Sequence, residues 1–199
     1  TGDTKIINKG KADKIFINTA GVGKFTGNNT EISYGKKIQP GDKLIVNGDL
    51  GRHEIAILAS RENLGLKTPV ESDCASLNML IDGVLSKHQE IRFMRDLTRG
   101  GLATVLNEVV EDKELGIDLR ENHIPLTDNG KSICEMLGLD PLFLANEGRL
   151  VLVAGSDEAD DIVNTMNQDI LGKDAAIIGE VTRSNPGQVL METEIGGTR

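Results

Sequence analysis

The sequence predicts an α+β fold, an α/β sandwich in which helices pack on a mixed sheet. Three observations predict it. From residue 43 onward, short β-branched runs alternate with segments of helical spacing. Glycine supplies 23 of the 199 residues, which marks many turns between short elements. Two consecutive strand-like runs, "AAIIGEVTR" and "QVLMETEI", are joined by "SNPG", a hairpin-type turn that breaks a purely parallel pattern.

The elements come in order along the chain. "TKIINKG" and "KIFINTAGVGKF" carry β-branched residues at alternating positions around a polar "KGKAD" turn, which predicts a β-hairpin. "TGNNTEISYGKKIQPGDK" is rich in Gly and Asn and reads as a loop crossing a domain boundary. A short strand covers 43–46. "RHEIAILASREN" has helical spacing at Ile55, Leu58 and Ala59. "ASLNMLIDGVLSKH" is a second helix, with Ser72 or Asp73 as its cap. "IRFMRD" is a strand. In "GLATVLNEVVEDK", Leu102, Val105, Leu106 and Val109 fall at i, i+3, i+4 and i+7, an amphipathic helix. "LGIDLRE" is a strand, and "TDNGKSICEMLG" is a helix with Thr127 as cap and Gly138 as stop. "RLVLVAG" is a strand, and "DEADDIVNTMNQD" is a helix that begins on acids, as the helix dipole favours.

Composition narrows the function. The formal charge of −9 disfavours nucleic acid or an anionic membrane as the main partner, because phosphate surfaces demand a basic face. With no Trp, one Tyr and four Phe, base-stacking platforms are disfavoured too. A nucleotide ligand stays open, since it needs only a local positive or amide-lined pocket. Cys74 and Cys134 stand far apart, form no C-x-x-C pair, and read as small buried hydrophobes of a reduced, cytosolic protein. No leader or membrane span is visible. The chain opens on "TGDTKIIN", a turn entering a strand, which suggests a piece of a longer protein.

Four stretches could hold chemistry. In "RDLTRGGLATV", Asp96 ends a strand, and Gly100 and Gly101 turn the backbone into a helix start with free N–H groups and the positive dipole end, a ready anion site. Thr98 can cap the helix or donate to a phosphate. Arg99 offers a planar fork to phosphate or carboxylate. Asp96 can hold a magnesium ion or a substrate amine. The plain alternative is a capped helix start with a surface arginine. In "TGDTK", Asp3, Thr4 and Lys5 could serve magnesium and phosphate, or simply form a surface turn. In "ANEGRL", Glu147 sits at a strand mouth beside Gly148, suited to a general base or to an ordinary loop. In "NGDLGRHE", Gly48 and Gly51 bracket a turn, and His53 near the helix start could bind an anion, shuttle a proton or rest at the surface. The three histidines show no zinc-ligand spacing.

The ordered set "GDTK", "NGDLGRHEIAIL", "ESDCA", "RDLTRGGLATVLNEV", "MLGLDPLFLANEG" and "LGKDAAIIGEV" resembles the hydrogenase-maturation carbamoyl dehydratases, the HypE family, over essentially the whole chain. That family belongs with aminoimidazole ribonucleotide synthetase, selenophosphate synthetase and thiamine monophosphate kinase. The resemblance implies a PurM-like C-terminal domain over 39–199 and, over 1–38, a β-hairpin remnant of the N-terminal domain that binds ATP and forms a homodimer. It implies Mg2+ and ATP in a cleft, and ATP-driven dehydration of a C-terminal cysteine thiocarboxamide to a thiocyanate for the cyanide ligands of nickel–iron hydrogenase. The implied partners are a carbamoyltransferase (HypF) and an iron scaffold (HypC–HypD). Carried over residue by residue, Lys5 and Glu147 are the proton acceptors. Thr4, Asp96, Thr98, Arg99 and Gly100 face nucleotide or phosphate, and Asp3 faces magnesium. A sister ATP-dependent phosphotransfer enzyme and, for this chain alone, a docking module for maturation partners are the competing readings. Three features depart from the family: the chain begins at the "GDTK" stretch, without the N-terminal domain; it ends at "EIGGTR", where the family continues into a tail with the acceptor cysteine; and Glu54 stands where the family usually has glycine.

Overall fold

The structure is a computed structural model that describes residues 10, 21–24, 31–62 and 70–199. The hairpin expected before residue 26 lies outside the described residues, apart from short pieces. The chain divides into two compact units, Thr1–Thr30 and Glu31–Arg199, and the elements of the fold belong to the second.

Six strands form one mixed sheet: β1 (Lys43–Val46), β2 (Ile91–Asp96), β3 (Gly116–Arg120), β4 (Leu150–Ala154), β5 (Ala176–Thr182) and β6 (Val189–Glu192). Among the described residues five α-helices accompany them: α1 (Arg52–Glu62), α2 (Asn78–Leu85), α3 (Gly101–Val110), α4 (Asp128–Leu137) and α5 (Ser156–Met166). The strand order is β2-β4-β1-β5-β3-β6, antiparallel except for the parallel pair β3–β6.

Side chains alternate across the sheet and build two cores. Leu44, Val46, Phe93, Val151 and Val153 face α3, which presents Leu102, Val105, Leu106 and Val109. All four of those helix positions are buried, as their spacing predicts, and each contributes about 1.5–3 kcal/mol of transfer free energy. Ile45, Leu150, Leu152 and Ala154 face α2 and α5 through Leu80, Val84, Ile162 and Met166. β4 is covered on both faces, so "LVLVA" reads as an unbroken apolar run. Ile55, Ile133, Cys134 and Leu144 form a third cluster under α1 and α4.

Local chemistry sets several boundaries. Thr127 caps α4 by accepting from the Gly130 N–H, and Gly138 ends it in the left-handed region at φ 66°, both as expected. α5 begins with Asp157 and Glu158 in its first turn. Two expectations are corrected. α2 starts at Asn78 with Leu77 at the N-cap position and no side-chain cap, so neither Ser72 nor Asp73, both several residues upstream, caps it; the Ser72 hydroxyl pairs with His53 and Asp73 Oδ1 accepts from the Glu147 N–H. The final two strands do not form a hairpin: β3 lies between β5 and β6. The "SNPG" segment carries the chain past the start of β3, where Gly187 N donates to Leu115 O at 2.9 Å and Ile117 N to Gln188 O at 3.0 Å. The crossing is possible because residue 116 lacks a side chain. A Cβ there would lie 2.1 Å from Ser184 O and 2.8 Å from Asn185 O.

Helices α2 and α5 pack on the side of the sheet that carries Ile45, Leu150 and Leu152. On that side a cavity of about 570 Å3 opens along the β5–β3–β6 portion, lined by Lys43, Asp118, Arg120, Gly179, Glu180 and Glu192. Lys43 sits opposite Glu180 in register and donates to its carboxylate at 2.5 Å, which holds that carboxyl below its ordinary range. Asp118, opposite Glu180 on the other side, is pushed up by burial and then by the Glu180 charge.

Gly116→Ala should force the crossing segment away from β3 and lower the unfolding free energy by about 1–3 kcal/mol, read by chemical denaturation. Lys43→Met should let the Glu180 pKa rise toward the usual carboxylate value, read by carboxyl NMR titration. Because the folded-state pKa is depressed, the pair's contribution to stability is present above the ordinary carboxylate range. It is lost as pH falls through the folded value, and the variant lacks it.

Candidate active site

At one end of the sheet the last residues of β1 and β2 meet the first of β4, with Val46 opposite Val151 and Asp96 opposite Leu150. The loops that leave these strands therefore converge. The buried residues Asn47, Asp49, Asp73, Asn146 and Arg149 tie them together.

Asn146, 1% exposed, uses its whole amide. Its Oδ1 accepts from Gly51 N at 2.8 Å, and its Nδ2 donates to Leu144 O at 2.9 Å and Leu97 O at 3.3 Å. Its backbone N–H also donates to Leu97 O, while Leu97 N donates to Arg149 O. One side chain thus joins "NGDLG", "RDLTRGG" and "LANEGR". Asn47 does the same nearby: Nδ2 donates to Gly148 O and Leu171 O, and Oδ1 accepts from Leu150 N at 2.8 Å. Arg149 donates through Nε to Asp49 O at 2.7 Å, through Nη1 to Gly148 O, and through Nη2 to Asp49 Oδ1.

The sequence-expected residues fall around this cluster. Asp96 is exposed at the end of β2, Thr98 is half-buried and Arg99 exposed in the turn, and Gly100 precedes α3 at φ 72°. Thr98 does not cap α3: the N-cap is Gly100, and no side chain among the described residues bonds the helix start. Gly101 answers to packing as well as to any ligand, since a Cβ there would lie 2.5 Å from Leu142 O and 2.6 Å from Leu144 O. Glu147 is exposed between two buried neighbours, Asn146 and Gly148. Asp3, Thr4 and Lys5 lie outside the described residues.

Other expectations resolve at the same loops. His53 is half-buried, with Nδ1 2.9 Å from Ser72 Oγ, which also accepts from Cys74 N. Glu54 accepts from Ala145 N at 2.6 Å and donates its own N–H to Ala145 O, so it locks α1 onto the "ANEG" loop. Cys134 is buried as expected, and its thiol is pushed up by burial and by the charges of Asp140 and Glu135. Cys74 departs from expectation: it is exposed in the loop before α2 and lines a cavity of about 570 Å3 with Asp49, Ser72, Asp73, Thr127 and Arg149.

Residues 39–192 match the family model of AIR synthase related protein, C-terminal domain. The chain belongs to that family. It is 43% identical over 199 residues to carbamoyl dehydratase HypE of Rhodobacter capsulatus, covering all of this chain and 58% of the relative. It is 43% identical over 182 residues to the Escherichia coli carbamoyl dehydratase HypE, covering 91% of this chain and 53% of that protein. The chain therefore spans little more than half the length of the curated relatives it matches. Among solved structures, HypE in complex with ATP aligns with TM-score 0.79 and 36% identity over 84% of this chain and 52% of that one. The HypE–HypF complex aligns with TM-score 0.77 and 40% identity over 81% of this chain and 52% of that one. Thiamine monophosphate kinase from Aquifex aeolicus, at 18% identity and TM-score 0.53, shares the fold.

The hydrogen-bond cluster, as distinct from the exposed residues, is what the folded arrangement adds to the sequence reading. Asn47 directly follows the β1 run and Arg149 directly precedes the β4 run; a polar residue abutting an apolar run is the local trace they leave, and by itself it reads as loop. Asn146→Ala leaves the Gly51 N–H and the Leu144 carbonyl without their partner, while the Leu97 carbonyl keeps the residue-146 backbone N–H. It should lower stability by about 3 kcal/mol or more, because each unmet buried group costs about 1–3 kcal/mol. Thermal and urea unfolding measure it. Asn146→Asp should be no milder, since it turns a donor toward two carbonyls into an acceptor.

Proposed function

We propose that this chain is the C-terminal part of an ATP-dependent carbamoyl dehydratase that converts a C-terminal cysteine thiocarboxamide to a thiocyanate, supplying cyanide ligands for nickel–iron hydrogenase. The observation that carries the reading is the placement of Glu147. Its carboxylate is exposed on a loop whose flanking residues are buried and bonded to the loops that hold Asp96, Thr98 and Arg99. The full-chain similarity to HypE proteins supports it. Residues 1–38 then belong to the N-terminal domain and 39–199 to the C-terminal domain.

The chemistry requires loss of an amide oxygen and two N–H protons. ATP supplies a phosphoryl group that turns the oxygen into a leaving group. The helix start fits phosphate: α3 begins with N–H groups that no side chain among the described residues caps, beside the exposed Arg99 and the Thr98 hydroxyl. Thr98, Arg99 and Gly100, with Thr4, orient that phosphate. Asp96 stands at its edge. Asp3 holds Mg2+. Glu147 takes one N–H proton as a general base and Lys5 the other, the lysine acting in its neutral form. Cys134, buried with a raised thiol pKa, is no substitute for the tail cysteine.

HypF, in whose complex a HypE relative has been solved, is the proposed source of the carbamoyl group, and a HypC–HypD iron scaffold the acceptor of cyanide. The intact protein acts as a homodimer in the cytoplasm. Among the described residues, no helix is long and apolar enough to cross a membrane.

The test is the mass of the full-length protein carrying a carbamoylated terminal cysteine, with and without Mg2+ and ATP. ATP-dependent loss of one water is expected. ATP consumption without water loss would replace the reading with a sister phosphotransfer reaction. Glu147→Gln should slow the loss by about 100-fold or more. Arg99→Gln should raise the KM for ATP about tenfold, the worth of one charged hydrogen bond.

A further inference from the structure

We infer that Asp73 is a positioning residue for the Glu147 carboxylate, an inference that rests on the dehydratase reading above. Asp73 lies in the loop before α2, far from Glu147 in sequence, and its side chain is wholly buried. Its Oδ1 accepts from the Glu147 backbone N–H at 3.2 Å. The same loop presses its backbone on the next residue: a Cβ at Gly148 would lie 2.0 Å from Asp73 O. Glu147 is thus fixed from three sides. Before it Asn146 is bonded to Leu97 O, after it the Gly148 carbonyl accepts from Asn47 and Arg149, and Asp73 holds its own N–H.

The second oxygen of Asp73 explains why this is an internal role and not a ligand site. Oδ2 is sealed from solvent and accepts no hydrogen bond from the described residues. It lies 4.0 Å from Arg149 Nε, whose own hydrogen bond goes to Asp49 O. A ligand in the adjoining cavity cannot reach it without the loop moving. Burying a carboxylate with one oxygen unbonded is costly. What that carboxylate holds is the N–H of the one exposed residue in "ANEGR". A general base must stand within hydrogen-bond reach of its proton, so the loss of that tether acts on the chemical step rather than on nucleotide binding.

The experiment uses the full-length protein with a carbamoylated tail and follows ATP-dependent water loss in wild type, Asp73→Ala, Asp73→Asn and Glu147→Gln. Folded content is matched by circular dichroism. Asp73→Ala should lower kcat roughly 10- to 100-fold with the KM for ATP unchanged. Asp73→Asn keeps an oxygen that can accept from the Glu147 N–H and should recover most of that rate. A wild-type rate for Asp73→Ala, or an Asn variant as slow as the Ala variant, overturns the inference. Glu147→Gln separates the two claims: full activity there overturns the role given to Glu147 itself. Should Asp73→Ala fail to fold, amide hydrogen exchange of wild type decides. Protection of the Glu147 N–H supports the tether, and exchange at the rate of an open loop refutes it.

Discussion

The end of the sheet that carries the site depends on one buried amide. Asn146 satisfies a donor from the 47–51 loop and two carbonyls from the 97 and 144 positions, with none of its own bonds made to solvent. Those three segments lie far apart in the chain and meet only because β1, β4 and β2 are neighbours in the sheet. A side chain that bonds all three at once turns strand adjacency into loop geometry. In a low-dielectric interior such a network is strong when complete and costly when broken. The exposed residues around it, Asp96, Arg99 and Glu147, inherit positions they could not hold as free loops.

Electrostatics reinforces the same design. Arg149 is buried with Asp49 and stands near Asp73, so the positive charge under the loops is compensated without water. Such a pair is poor evidence of stability for its own sake, because desolvation offsets much of the attraction. Its value lies in fixing where Gly148 and the 49 carbonyl sit. Glu54 belongs to the same scheme. Where the family resemblance leads one to expect glycine, this chain has a carboxylate that accepts from the Ala145 N–H, beside the bond that the Glu54 backbone N–H donates to Ala145 O. That departure therefore stabilises the loop carrying Glu147 and leaves His53 to its contact with Ser72.

The sequence disclosed those parts of the molecule whose signals are local. The i, i+3, i+4, i+7 spacing of Leu102 to Val109 marked α3, Thr127 and Gly138 bounded α4, and "LVLVA" marked the central strand. The insertion of β3 between β5 and β6 was hidden, because pairing between distant strands leaves no periodic trace. Only Gly116, at the crossing, carried a hint, and a glycine beginning a strand has many readings. The start of α2 was misplaced because Ser72 and Asp73 have the chemistry of caps, while the Ser72 hydroxyl pairs with His53 and Asp73 Oδ1 with the Glu147 N–H instead. At the site, Asp96 and Arg99 were legible as types at a strand-to-helix handover, and Glu147 as an acid at a strand mouth. Asn47, Asp49 and Arg149 were not, since their partners sit about 100 residues away and a polar residue beside a strand ordinarily reads as loop.

If the sheet-end cluster holds Glu147 against the reacting carboxamide, a crystal structure of the full-length protein will show it, with the tail cysteine carbamoylated and a non-hydrolysable ATP analogue bound. The Glu147 carboxylate is then expected within about 2.6–3.2 Å of the carboxamide nitrogen, with the phosphates beside Arg99 and the start of α3. A carboxamide seated elsewhere, with Glu147 turned to solvent, would contradict that role.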